Sequence, residues 1–290
     1  MAVEQAEVGR IDALWRYPVK SMAGERRDAV TVTDRGLRGD RAYAVVDRAD
    51  GKVATAKNPR KWPRLLQFSA TLPDDDAGAG WDGARTGAVL PPVLITTPEG
   101  AEVSSADPDV EQSLTLALGR DVELRTVEPG DEPGSGHPWA ARSEEYWPDL
   151  EGLDFRDTVT DFQLPAGTFF DSAVVHVLTT ATLARMAELQ PGGRIDPRRF
   201  RPNVVVDTAG RSGFEENDWV GRTLRLGDGV RLTVTGPCGR CVMVTLAQDD
   251  LPKDTGILRS AAQHNRLRVG VYASVQSGGR VRNGDPVMLE

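Results

Sequence analysis

Cysteine, histidine and lysine are all scarce in this chain of 290 residues. There are two cysteines, Cys238 and Cys241, and three histidines, His137, His176 and His264. Two cysteines three positions apart cannot build a disulfide framework at this length, and such usage fits a reducing cytoplasm. No apolar run reaches the roughly 18 residues of a membrane-crossing helix. The first ten residues include acidic side chains and no apolar stretch, so neither a secretory signal nor an Arg-rich transit peptide is expected. Cationic excess is also missing: 35 basic residues stand against 43 acidic ones, a net charge of −8. That balance argues against general binding of nucleic acid or anionic membrane. Five of the basic residues are lysine and the rest arginine, a skew for which genome composition is a sufficient cause.

What is present is a globular, strand-forming sequence. A hydrophobic content of 39% at this length can bury one large core or two coupled ones. Apolar and polar residues alternate over 8–17 and 28–33, which predicts strands. An apolar run at 41–47 ends at Asp50-Gly51, a hairpin turn signal, with 52–56 as the expected return strand. Further strands are expected at 65–71 and 93–97, a loop at 74–92, and a helix over 109–118 stopped by Gly119. Residues 128–152 are rich in Pro, Gly and acidic residues yet contain Trp139, Tyr146 and Trp147. They read as a boundary loop whose aromatics pack onto the body or lid a site.

The second half restarts with a strand at 173–178 and a helix capped by Thr179 or Thr180 and stopped by Pro191-Gly192-Gly193. Strands follow at 204–206, 224–226, 230–234, 242–246, 269–275 and 286–289. One helix among so many short strands predicts a mostly antiparallel barrel. The expected class is therefore mostly β with a few helices (α+β). The expected division is 1–127, a linking loop at 128–152, and 153–290.

Four local features carry chemistry. Cys238-Gly239-Arg240-Cys241 admits several readings. A structural zinc site needs four ligands, and the histidines show no paired spacing. A redox dithiol should open a helix, whereas 242–246 reads as a strand. There remain two buried small side chains, or one reactive thiolate beside Arg240, whose guanidinium would lower the thiol pKa. Soft thiolates suit soft or high-valent metals. Arg198, Arg199 and Arg201 around Phe200 form either an anion site, since guanidinium forks bind phosphate bidentately, or a plain basic surface. Lys20-Ser21 follows Tyr17-Pro18-Val19 at a strand exit. Asp40-Arg41 precedes an apolar strand and on its own is an ordinary ion pair.

In this order, the motifs resemble one family. Tyr-Pro-Val-Lys-Ser at 17–21, Gly36-Leu37 with Asp40-Arg41, Asp171-Ser172, Phe-Arg-Pro-Asn at 200–203, Cys-x-Arg-Cys at 238–241 and Asn-Gly-Asp-Pro-Val at 283–287 are similar to those of the MOSC family. The likeness runs from about residue 8 to 289. It is nearest the branch with an added N-terminal β-barrel, which includes the mitochondrial amidoxime-reducing component and its bacterial relatives. The resemblance implies a MOSC β-barrel preceded by a β-barrel-like domain. It implies a molybdenum cofactor, a molybdopterin whose metal takes Cys241 as its thiolate ligand. Lys20, Ser21, Arg41, Asp171, Ser172, Arg199, Arg201, Asn203 and Arg240 would hold that cofactor. The implied activity is reduction of N-hydroxylated or N-oxygenated small molecules. Bacterial relatives often append a ferredoxin domain, so electrons are expected here from a separate flavin or iron–sulfur protein. The alternative reading is a sulfur or cofactor carrier that uses Cys241 as a persulfide site. Residues 247–253 look expanded relative to the family, which bears on substrate range.

Overall fold

The computed structural model describes residues 6–73, 90–127, 141–149 and 157–290. Most of the loop expected at 74–92, and Trp139, lie outside them. Seven strands close into a barrel. Val204–Asp207 pairs with Val175–Thr179, and the order continues through Arg268–Ser277, Val230–Gly239, Thr223–Leu226, Pro286–Leu289 and Ala6–Arg16. Ala6–Arg16 then pairs back onto Val204–Asp207, with Ile11 opposite Val206 and Leu14 opposite Val204.

A closed ring of seven strands cannot alternate direction throughout, so one neighbouring pair must run parallel. That pair is Val175–Thr179 with Val204–Asp207. Parallel neighbours need a crossover. Here it carries two helices, α2 (Thr180–Leu189) and α3 (Pro197–Phe200). Thr179 caps α2, its Oγ1 accepting from the Thr182 amide at 3.0 Å. Alternation places Val230, Leu232 and Val234 inside the barrel with Ile11, Leu14, Val204, Val206, Val271 and Val287.

The first half of the chain builds a second core. Its short strands are Tyr43–Asp47 with Val122–Thr126, and Ser69–Thr71 with Leu94–Thr96 and Glu102–Ser104. Val19, Met22, Val45, Trp62, Leu65, Phe68, Ile95 and Leu114 fill it, the last from α1 (Val110–Leu118). Gly119 ends α1 in the left-handed region, φ 69°. The chain is thus mostly β with a few helices, as expected.

Several elements differ from expectation. Residues 52–56 form no return strand: Val53 makes only single bridges to Val46 and Ser143, and Val122–Thr126 takes the edge of Tyr43–Asp47. Within 65–71 the first residues form a 3-10 turn, Leu65–Gln67, and only Ser69–Thr71 is a strand. Part of the loop expected at 128–152 is the strand Arg142–Trp147, which pairs with Thr158–Gln163. Residues 242–246 are not a strand either. Val242–Thr245 is a 3-10 turn whose buried side chains dock under α3 and α4 (Gly256–Asn265). An apolar β-branched run carries no period that separates the two outcomes. The helices α3 and α4 are additional to the one expected in this half. No helix among the described residues is long and apolar enough to cross a membrane.

The barrel interior should dominate stability. Leu14 is fully buried in it, whereas Leu116 on α1 is 77% exposed. In denaturant titrations Leu14→Ala should cost about 2–5 kcal/mol, through lost burial and a residual cavity. Leu116→Ala should stay within about 0.5 kcal/mol. Equal losses at the two positions would contradict the barrel core described here.

Candidate functional site

A cavity of about 480 Å³ opens where the two cores meet. Its wall includes Lys20, Ser21, Arg41, Asp171, Ser172, Arg199, Arg201, Asn203, Arg240 and Cys241, so the residues that the resemblance assigns to the cofactor stand around one space, whereas Arg198 does not line it. They arrive from five segments of the chain. Their side chains nevertheless have different duties.

Asp40 organises the floor. Its buried carboxylate accepts the Tyr17 amide at 2.7 Å and Asn203 Nδ2 at 2.9 Å, and it pairs with the Arg41 guanidinium. Asn203 in turn accepts from the His176 amide at 3.0 Å and donates to the Trp15 carbonyl at 3.3 Å. Its amide is therefore scaffold. Tyr17 donates its hydroxyl to the Pro202 carbonyl at 3.2 Å, and its ring carries two cations. The Arg41 guanidinium lies 4.5 Å from the ring centroid and that of Arg201 4.2 Å.

Arg201 is the most exposed in a chemical sense. It donates to the Met22 carbonyl at 2.7 Å, and among the described residues it pairs with no carboxylate. Asp196 is engaged with Arg198, and Asp207 with Thr180 and Ala209. Burial, with the nearby Arg41 charge, pushes its pKa down to about 10. Of the three arginines around Phe200, only this one presents unmatched charge to the cavity. Arg198 faces Asp196, Asp249 and Asp250 at the surface. Arg199 is buried in the wall and turns its guanidinium to backbone carbonyls.

Cys241, half-buried, lines the same cavity as the arginines, and so does Cys238, which is buried. Burial pushes the Cys241 thiol up to about 11, and the positive charge that opposes this is Lys57. The expected neighbour, Arg240, does not serve. Along extended backbone successive side chains alternate, so Arg240 shares a side with Cys238 and not with Cys241. Its guanidinium donates to the Val269 carbonyl, to the Phe200 carbonyl at 2.9 Å and to His176. Lys57 carried no signal in the sequence beyond its being one of few lysines. Its Nζ is 3.2 Å from Asp171 and 3.6 Å from Glu145. Burial works against its charge, but Asp171 and Glu145 help to outweigh it and hold the ammonium form. Asp171 also pairs with Lys20, whose Nζ donates to the Phe169 carbonyl at 2.8 Å. Against its burial, these two lysines keep the Asp171 carboxyl below the usual carboxylate range.

Four non-glycine residues at the cavity have positive φ: Ser21 at 65°, Arg41 at 48°, Arg201 at 56° and Leu267 at 62°. Conformations of this kind cluster where surrounding structure imposes them for a purpose. A glycine is also required. Gly270, at φ 81°, faces His176, and a Cβ there would stand 2.3 Å from Nε2. A larger residue would displace the His176 ring and with it the contacts to the Arg201 carbonyl and to Arg240.

Two family comparisons match. The MOSC domain covers residues 165–288, and the MOSC N-terminal β-barrel domain covers residues 8–79. The chain belongs to the MOSC family, in its branch with an N-terminal β-barrel. Mitochondrial amidoxime reducing component 2 of Bos taurus is 28% identical over 315 residues, covering 97% of this chain and 83% of that protein. Component 1 of Homo sapiens is 26% identical, covering 98% and 83%. Molybdenum cofactor sulfurase of Drosophila grimshawi is 26% identical over 89% of this chain but 31% of its own length. This MOSC chain therefore shares nearly its whole span with the reducing components and only a portion of the sulfurase.

The hydrogen bonds around His176 give a pH test. Nδ1 lies 3.2 Å from the Arg201 carbonyl and Nε2 lies 2.6 Å from Arg240 Nη2. Nδ1 therefore carries the proton, and Nε2 accepts from a guanidinium. Burial, and then Arg240, push the His176 pKa well below 6.5. As pH falls below 6.5 the unfolded chain takes this proton first, so the folded state loses up to about 1.4 kcal/mol per pH unit until its own pKa is reached. Unfolding free energies at pH 7.5 and 5.0 should show a smaller acid loss for His176→Gln than for the parent chain. An identical loss would mean that His176 is not held neutral.

Proposed function

We propose that this chain binds a molybdenum cofactor in the cavity, with Cys241 as the protein's thiolate ligand. In that form it reduces N-hydroxylated or otherwise N-oxygenated small molecules, with electrons from a separate flavin or iron–sulfur protein. One observation carries the reading: a half-buried thiol with a lysine beside it and a half-buried guanidinium that has no carboxylate among the described residues line the same cavity. A thiolate suits a soft or high-valent metal. Arg201 and Arg41, stacked on Tyr17, suit the terminal phosphate of a pterin cofactor, since buried cations call for an anion. The relatives' names, amidoxime reducing component and molybdenum cofactor sulfurase, point to the same chemistry. In this reading the cavity draws on both a first part, 1–127, and a second, 153–290, with 128–152 between.

When bound, the molybdenum centre supplies two-electron oxygen-atom transfer, and the protein's own groups hold and shape it. Cys241 contributes the sulfur, and Lys57 stabilises its negative charge. Ser21, Lys20 and Ser172 offer hydroxyl and ammonium donors along the wall. Lys57 Nζ also holds a proton at the thiol end, where a departing oxygen atom needs one. A persulfide carrier, the second reading, needs an exposed thiol that ionises readily. The half-buried position of Cys241 in a cavity wall favours the first reading.

Metal analysis of protein made in a host that synthesises the cofactor tests this directly. Cys241→Ser should lose the molybdenum, because a hydroxyl is a far poorer ligand, and Cys238→Ser should keep most of it. Equal metal content in the two variants would overturn the assignment of Cys241.

Arg201→Ala gives an independent check. Removing one charge-assisted contact, about 1.5–3 kcal/mol, should weaken cofactor binding roughly tenfold to a hundredfold. The empty protein should be no less stable, since the guanidinium is buried beside Arg41 without a carboxylate. A drop in the melting temperature of the empty protein with unchanged cofactor content would remove Arg201 from the site.

A further inference from the structure

The strongest unexplained group near the cavity is Arg199, which is 1% exposed and makes no ion pair among the described residues. A buried guanidinium without an anion must find its partners in the backbone. Arg199 Nε donates to the Arg194 carbonyl at 2.9 Å. Nη1 reaches the Leu246 carbonyl at 3.2 Å and that of Val244 at 3.4 Å, and Nη2 the Pro252 carbonyl at 2.7 Å. Three of these four acceptors belong to the segment 242–252, which directly follows Cys241.

The surface end of that segment is also held by Arg194 and Arg198, which pair with Asp249 and Asp250, and Val242, Val244 and Leu251 are buried; its inward-facing carbonyls are what Arg199 gathers. The segment begins as the 3-10 turn Val242–Thr245, turns tightly with Asp249 at φ 49°, and is closed by mutual backbone bonds between Gln248 and Leu251. On the other side of Cys241, Arg240 donates to the Phe200 carbonyl at 2.9 Å. The one-turn helix α3 is therefore fastened to the chain both before Cys241, through Arg240, and after it, through Arg199. The residue that follows α3 is Arg201.

We infer that Arg199 is a positioning residue: it holds the segment after Cys241 against α3, and so fixes the thiol relative to the Arg201 guanidinium. This deepens the cofactor reading and rests on it for its purpose. The clamp itself is a property of the empty protein. The guanidinium's planar fork is what lets one side chain gather carbonyls from residues 194, 244, 246 and 252. A lysine there would reach fewer of them.

The test uses the full-length chain with Arg199→Met and Arg199→Lys. In the empty protein, amide hydrogen exchange within 242–252 should accelerate about tenfold or more in Arg199→Met, with the barrel strands unchanged. Alkylation by iodoacetamide at one fixed pH, read by mass spectrometry, should rise at Cys241 relative to Cys238. Protein made in a cofactor-producing host should hold several-fold less molybdenum. Arg199→Lys should fall between Arg199→Met and the parent in all three measurements. Exchange that rises evenly across the barrel and α2, or no change within 242–252, overturns the proposal. So does failure of both variants to fold, which would make Arg199 a support of the whole domain. If the parent chain takes up no molybdenum, the cofactor reading fails, while exchange and alkylation still decide the clamp.

Discussion

The carboxylate of Asp40 is the constraint on which the site depends. A buried charge is tolerated only if donors surround it. Its donors come from three places: the backbone at Tyr17, the amide of Asn203 and the guanidinium of Arg41. Tyr17 directly follows the barrel strand Ala6–Arg16, and Asn203 directly precedes the strand Val204–Asp207 that comes after α3. To satisfy one carboxylate, the chain must bring the exit of its first strand and the end of its crossover to the same point. Arg41 and Arg201 then arrive at the same tyrosine ring as a geometric consequence. The parallel strand pair contributes from the other direction. It forces a helical crossover in an otherwise antiparallel barrel, and α3 at the end of that crossover delivers Arg201.

The left-handed residues fit the same picture. Ser21, Arg41 and Arg201 have no glycine's freedom, and each such conformation costs on the order of 1 kcal/mol or more. Backbone bonds impose them. Arg41 donates its amide to the Tyr17 carbonyl at 2.8 Å, and Arg201 donates its amide to the Pro197 carbonyl at 3.0 Å. In each case the turn directs a polar side chain into the cavity where a regular element would have carried it along a strand or helix face.

Much of this was legible in the sequence. Alternation marks the barrel strands, Thr179 marks the start of α2, and the ordered motifs mark the residues that meet at the cavity. Composition and spacing do not say where a donor points. The motifs suggest Arg199, Arg240 and Asn203 as groups that hold a cofactor, yet in the fold their donors end on backbone and on His176 and Asp40. Arg240 stands beside Cys241 in sequence, but the alternation of extended backbone turns it away. Lys57, which does sit at the thiol, comes from a loop with no motif and is placed by the fold of the first core. The 3-10 turn after Cys241 was hidden because Val242, Met243 and Val244 read equally well as a buried strand. The strand reading had counted against a redox dithiol, so that argument loses its footing, and the case for a single thiolate rests instead on Lys57 and the arginines.

The charge balance of the cavity ties these points together. The chain as a whole is acidic, at −8, but the cavity wall is not. Lys20 and Lys57 share Asp171, Lys57 also approaches Glu145, and Arg41 holds Asp40; Arg199 and Arg240 spend their donors on carbonyls and His176, which leaves Arg201 with spare donors and no carboxylate among the described residues. A protein gains no stability from such an arrangement. The depressed pKa of Arg201 marks the cost, since burial and a like charge both act against its protonated form. A deprotonated thiol at Cys241 meets Lys57, and an anion at the Tyr17 platform meets Arg201. An anionic ligand that reaches both ends of the cavity at once completes two pairs that the polypeptide leaves open. The binding energy of such a ligand would come from cations already desolvated and already held in place, so little of it is lost to reorganisation.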